Sequence, residues 1–219
     1  MRNAFLVLLS FLMANGATAQ VLTTEVWLGT LDMREGRFAV SALENISRHP
    51  GYDNQPSFSP DGQSLLYTTE AEDLSETGLG VHAVRYDLQS GRAVPLTNAR
   101  GFSPTTTTDG RSFMTLREGT VWLHDYDGNP QRSLLPHVKT AGYFTRMDEE
   151  RWVLFMNEKE RHIAQWDERR SSLTRIVPGA VTAPYRVPGR QAVTFVVDDG
   201  ETKKLMQLEL TEDRGTMDR

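Results

Sequence analysis

The stretch Gln55-Pro56-Ser57-Phe58-Ser59-Pro60-Asp61-Gly62, followed by Gln63-Ser64-Leu65-Leu66-Tyr67-Thr68, has a second copy further along the same chain. It returns as Ser103-Pro104-Thr105-Thr106-Thr107-Thr108-Asp109-Gly110, followed by Arg111-Ser112-Phe113-Met114-Thr115-Leu116. Fainter copies run from Gly142 to Glu149 ahead of Trp152-Val153-Leu154-Phe155, and from Ala183 to Gly189 ahead of Ala192-Val193-Thr194-Phe195. Their turn residues Asp61, Asp109, Asp148 and Pro188 are spaced by 48, 39 and 40. The long interval holds an acidic, glycine-containing insertion, Glu70 to Gly80, expected to be an exposed loop. Self-similarity at this period makes each unit one supersecondary element that buries its faces against its neighbours.

A second series keeps the same register. Apolar segments ending in aspartate run from Val26 to Asp32, Val81 to Asp87, Val121 to Asp127 and Ile163 to Asp167, and the last three aspartates are spaced by 40 and 40. The runs are short, rich in Val, Leu, Phe, Tyr and Thr, and bounded by Asp-Gly, Asn-Pro or Pro-Gly, which is strand and hairpin punctuation. The sequence therefore predicts an all-β protein, a β-propeller of four-stranded antiparallel blades, with a β-sandwich as the alternative. About four or five blades are expected, near 25–47, 55–97, 102–136, 142–177 and 181–210, followed by a charged tail over 211–219. The last unit lacks a recognisable fourth strand, so the ring is expected to be short or open at its ends.

The first nineteen residues read as a secretory signal: Arg2, an apolar run from Ala4 to Ala14, and a small-residue cleavage site at Ala17-Thr18-Ala19. The apolar run is too short to span a bilayer. An exported, periplasmic protein cleaved after Ala19 is expected, with no membrane span. The chain has no cysteine, so its mature part relies on an apolar core rather than disulfides. A formal charge of −5 without any basic run argues against a nucleic-acid partner.

The segment Pro56 to Gly62, with Ile46-Ser47, the lead-in Gly51-Tyr52-Asp53-Asn54-Gln55 and the echo Leu96-Thr97, resembles the WD40-like repeat in the propeller of TolB and related periplasmic proteins. The resemblance spans about Glu25 to Leu210 and implies the propeller fold. It extends to the propeller part only, because strand-like residues begin within about five positions of the predicted cleavage site and leave no counterpart of the α/β domain that precedes the propeller in TolB.

No catalytic, cofactor or metal residue is expected. His49, His82, His124, His137 and His162 sit in different units with no ligand spacing. Asp125-Tyr126-Asp127-Gly128-Asn129 superficially matches a calcium loop, yet Pro136 occupies the place of the twelfth-position glutamate, and a hairpin turn is the better reading. There is no Gly-x-Ser-x-Gly nucleophile elbow. Because first strands line a propeller's channel, Tyr52, Asp53, Asn54 and Gln55 are expected at one channel mouth, together with Arg100, Phe102 and Tyr143 from the following units. Such a mixture suits recognition of a protein, peptide or cell-envelope component. The competing reading is that these residues only serve hydrogen bonding between blades. The sequence thus points to a non-catalytic binding module. A propeller enzyme acting on glycans or peptides at the channel mouth and an incomplete propeller that works within a larger assembly are the alternatives.

Overall fold

The computed structural model describes residues 23–48, 50–70, 80–210 and 215–218. The expected signal, His49 and nearly all of the Glu70 to Gly80 insertion lie outside the described residues. A two-stranded hairpin, β1 (Trp27–Arg34) and β2 (Arg37–Asn45), comes first. Four four-stranded antiparallel sheets follow, each in simple up-and-down order. The first contains β3 (Asp53–Phe58), β4 (Ser64–Glu70), β5 (Val81–Asp87) and β6 (Arg92–Arg100). The second contains β7 (Phe102–Thr106), β8 (Ser112–Arg117), β9 (Thr120–Asp125) and β10 (Pro130–Ser133). The third contains β11 (Ala141–Arg146), β12 (Arg151–Met156), β13 (His162–Asp167) and β14 (Ser172–Pro178). The fourth contains β15 (Tyr185–Arg186), β16 (Ala192–Asp198), β17 (Lys203–Leu210) and β18 (Gly215–Asp218). The sheets are the blades of a β-propeller that is not closed. No helix among the described residues is long and apolar enough to cross a membrane.

In the first three blades the turn between first and second strands is built from the side chains that made the repeat visible. In blade one the Ser59 hydroxyl donates to Asp61 Oδ1 and accepts the Ser64 N–H, while Asp61 also accepts the Gln63 N–H. Blade two repeats this with Thr107, Asp109, Ser112 and Arg111. These hydroxyl and backbone donors hold the Asp61 and Asp109 carboxyls below the usual carboxylate range. In blade three Met147 takes the hydroxyl's place. There Asp148 accepts the Glu150 and Arg151 N–H groups and pairs with the Arg151 guanidinium. Blade four has Val187 and Pro188 and keeps only the backbone closure, Val187 N–H to Ala192 O. The Asp125 loop is likewise a turn: its carboxylate accepts the N–H groups of Asp127 and Asn129 and the Asn129 and Gln131 side-chain amides.

In blades one to three the second strands are buried almost throughout and the fourth strands mostly exposed. A strand covered on both faces reads as an unbroken apolar run, which is why Leu65-Leu66-Tyr67 and Trp152-Val153-Leu154-Phe155 show no alternation. Each apolar cluster is one interface between consecutive sheets. Val26 and Ile46 at the hairpin base meet Leu65, Tyr67, Val84 and Tyr86 of blade one. Leu66, Ala83, Leu96 and Ala99 meet Phe113 of blade two. Met114, Leu116 and Val121 meet Phe144, Trp152 and Leu154. Val153, Phe155 and Ile163 meet Val193, Phe195 and Leu208. None of these four clusters joins blade four back to the hairpin.

Two expectations need correction. The fourth strand of the last blade exists, and it comes from the segment read as a charged tail: Gly215–Asp218 pairs with β17 through Gln207↔Asp218 to Leu210↔Gly215. An outermost strand joins by backbone hydrogen bonds and needs no apolar alternation, so composition hid it. Asp32 is not a strand-ending turn residue either. It lies within β1, facing Ala39, and the turn is Glu35-Gly36 with positive φ at both.

His124 on β9 stacks on Phe113 with ring centroids 5.1 Å apart, and its Nε2 lies 2.8 Å from the Thr115 hydroxyl. Burial lowers its pKa from the ordinary imidazole value. The unfolded chain thus binds this proton more readily than the folded one, so the stabilisation is complete above the unfolded pKa of about 6.5 and is lost as pH falls from there through the folded pKa. Thermal unfolding followed by circular dichroism is expected to show a Tm that is level above about pH 7 and falls toward pH 5. In His124→Gln that fall should be shallower; an identical slope would remove His124 as its source.

Candidate functional site

The inner strands of the first three blades share an irregularity six residues before the turn. The register of β3 against β4 shifts between Asn54 and Ser57, that of β7 against β8 between Phe102 and Thr105, and that of β11 against β12 between Ala141 and Tyr143. Gln55 and Ser103 sit in these bulges with φ of 57° and 53°, and Gly142 takes the third. A bulge re-aims side chains, and here it turns Gln55 across to the next blade. Its Oε1 accepts the Ser103 N–H at 2.9 Å and the Thr68 hydroxyl at 3.0 Å. Between blades three and four the Thr145 hydroxyl donates to Pro184 O.

These strands line a cleft of about 1600 Å³ that takes residues from all four blades. Asn54, Gln55, Ser103, Thr105, Thr145 and Thr182 give it hydroxyl and amide walls, and Arg146 and Arg186 add cationic groups. Beside its Asn54 and Gln55 end, aromatic rings converge from three blades. Tyr52 meets Phe102 edge to face with centroids 6.2 Å apart, and Tyr143 meets Phe155 at 5.7 Å. Burial raises the Tyr52 phenol pKa, and the nearby Tyr143 adds to the rise, which places the two phenols as electrostatic neighbours.

Five of the seven residues expected at this mouth, Tyr52, Asn54, Gln55, Phe102 and Tyr143, lie on the rings or walls just described. Asp53 does not. It pairs in register with Thr69, on the face that carries Tyr67 toward the hairpin, and is 1% exposed. Burial, reinforced first by the Asp53 carboxylate, pushes the Tyr67 phenol up to about 12. Successive strand residues point to opposite faces, so Asp53 and Asn54 could not both face the channel. Arg100 ends β6 opposite His82, away from the cleft wall, and its backbone carbonyl accepts the Thr115 hydroxyl. Reading from the sequence missed Thr145, Arg146 and Arg186. Their equivalence to Ser57 and neighbouring inner-strand positions follows from counting back from each turn, which was the available signal.

Of the three carboxylates along the cleft, Asp109 and Asp148 are engaged in turns, while Glu149 is exposed. The Thr107 hydroxyl holds the Asp109 carboxyl low. Burial alone would raise Asp148, but the Arg151 guanidinium and two backbone N–H groups bring it below its ordinary value. Among the described residues no group of three His, Asp or Glu side chains is placed to hold a metal.

Comparison with solved structures gives a superposition on TolB from Acinetobacter baumannii with a TM-score of 0.64 at 22% identity, covering 87% of this chain and 50% of that one. The fold is that of a TolB-like β-propeller. The TolB-like arrangement also superposes on a puromycin hydrolase, with a TM-score of 0.55 at 12% identity over 88% of this chain and 35% of that one. A gluconolactonase from Xanthomonas campestris gives 0.53 at 8% identity over 75% and 60%. At such identities the likeness is one of fold, which serves proteins of differing activity. The chain spans half the length of the TolB structure it matches. No family model and no curated protein matches the sequence.

Proposed function

We propose that this chain is a non-catalytic binding module of the exported compartment, taking a protein, peptide or cell-envelope component at the aromatic mouth of its channel. The observation that carries this reading is the convergence of Tyr52, Phe102 and Tyr143 from three blades beside a cleft walled by amides and hydroxyls. Aromatic rings with a polar edge are the side chains that most often anchor a recognised surface. Two of the three cleft carboxylates favour binding over acid-assisted turnover, because Asp109 and Asp148 are committed to turn hydrogen bonds and held ionised. A general acid needs a pKa raised toward the working pH. The periplasmic address rests on the amino-terminal signal.

The experiment is affinity capture from a periplasmic extract with the wild-type chain and with Tyr52→Ala/Tyr143→Ala. The expected result is a partner whose recovery falls at least about tenfold in the variant, the loss typical of removing interface aromatics. Capture that is equal for both chains, or turnover of a glycan or peptide panel that Asp148→Asn abolishes, would count against this reading.

A further inference from the structure

The β1–β2 hairpin presents one continuous apolar face that nothing among the described residues covers. The register pairs Leu31 with Val40 and Met33 with Phe38, which sets all four on one side. Gly29 belongs to the same side, since a Cβ built there would lie 3.0 Å from both Val40 Cγ1 and Leu43 Cδ2. Trp27 shares the side by alternation along β1. Trp27, Leu31, Met33, Phe38, Val40 and Leu43 are between 58% and 71% exposed. The opposite side packs at its base, where Leu28 joins Val26 and Ile46 against blade one, and carries the exposed Thr30, Ala39 and Ser41 beyond it. The hairpin is anchored there by Thr24 N–H to Gly51 O and Asp53 N–H to Thr24 O, and Ile46 N–H to Val26 O closes its base.

We propose that this face is the contact between two copies of the chain, stacked sheet on sheet about a two-fold axis. Three observations select a second copy as the occupant. The exposed area of the six side chains is on the order of 700 Å², above the patch a monomer ordinarily shows and close to the ~800 Å² per partner of a stable interface. The face holds no charged side chain at its centre, so it meets its own image without opposing like charges, as an isologous contact requires. The other open sheet face of the molecule is a poor match. Blade four turns Leu205 outward together with Lys203, Asp198, Gln207 and Glu209, so a head-to-tail joint would bury charge against apolar surface. Face-to-face packing of twisted sheets is also how every blade of this chain meets the next, with sheets about 10 Å apart.

Sedimentation equilibrium of the purified chain at tens of micromolar is expected to return twice the chain mass, and Leu31→Asp/Phe38→Ser to return the chain mass with an unchanged Tm. The chain has no cysteine, so Val40→Cys provides an independent reading. Under mild oxidation it should form a disulfide-linked dimer, while Lys204→Cys on blade four should not. A monomeric wild type, a dimer that survives the double substitution, or a Val40→Cys thiol that is shielded yet uncrosslinked would each overturn the proposal.

Discussion

Gly119→Ala is expected to lower the Tm by roughly 10 °C or more, although it adds a single methyl group. Glu118 and Gly119 form the β8–β9 turn with φ of 53° and 73°, and a Cβ at Gly119 would fall 1.8 Å from the Lys139 carbonyl oxygen. That oxygen belongs to backbone, so no rotamer relieves the clash. The Gly119 carbonyl meanwhile accepts the Ala141 N–H at 3.0 Å, which fastens the turn to the start of β11. The methyl group must break the fastening or move the connection between blades two and three. Gly110→Ala is the control: its φ is 69° and a Cβ there meets nothing within 4 Å, so it should cost only left-handed strain of about 1 kcal/mol. Thermal unfolding of the two variants side by side decides it, and equal Tm values would mean that the connection yields freely.

Trp152→Ala should be almost as damaging for a different reason. The ring is 1% exposed between blades two and three, 6.2 Å from Phe144, with the Arg146 guanidinium 5.2 Å above it. Deleting such a side chain costs about 3–5 kcal/mol in lost burial and residual cavity, a large share of the 5–15 kcal/mol by which domains are stable. In urea the midpoint should fall with little change in slope. Trp152→Phe should lose less than half as much, because the indole Nε1 finds no acceptor among the described residues and its removal sacrifices no hydrogen bond. A phenylalanine variant as unstable as the alanine variant would contradict that account.

The fold was legible where turn chemistry is written in side chains. Ser59 with Asp61 and Thr107 with Asp109 perform the same hydrogen bonds, so the sequence had to repeat them. Where blade three substituted an Arg151 ion pair and blade four a backbone closure, the signature faded while the geometry persisted. Strand β18 was invisible because an outermost strand is specified by its partner's edge more than by its own side chains. Of the expected aromatic residues Tyr143 lines the cleft, while Tyr52 and Phe102 pack against each other at the start of their first strands. Asp53 was misplaced because a two-residue period decides orientation, and a bulge two positions later hides the phase. The apolar side of the hairpin needed the observed register: the extra residue Ala42, with φ of 50°, puts Leu43 on the same side as Val40, which simple alternation would not.

Because each of the four apolar clusters ties one sheet only to the next, the molecule is energetically a linear chain of units. Its stability is then approximately a sum of sheet terms and nearest-neighbour couplings, and its cooperativity reaches only as far as those couplings carry it. Blades one, two and three, each coupled on both sides, are the units that open last, while the hairpin and blade four set the lowest-energy openings. Tyr52, Phe102 and Tyr143 belong to these three internal blades, so local opening of the hairpin or of blade four leaves their strands in place.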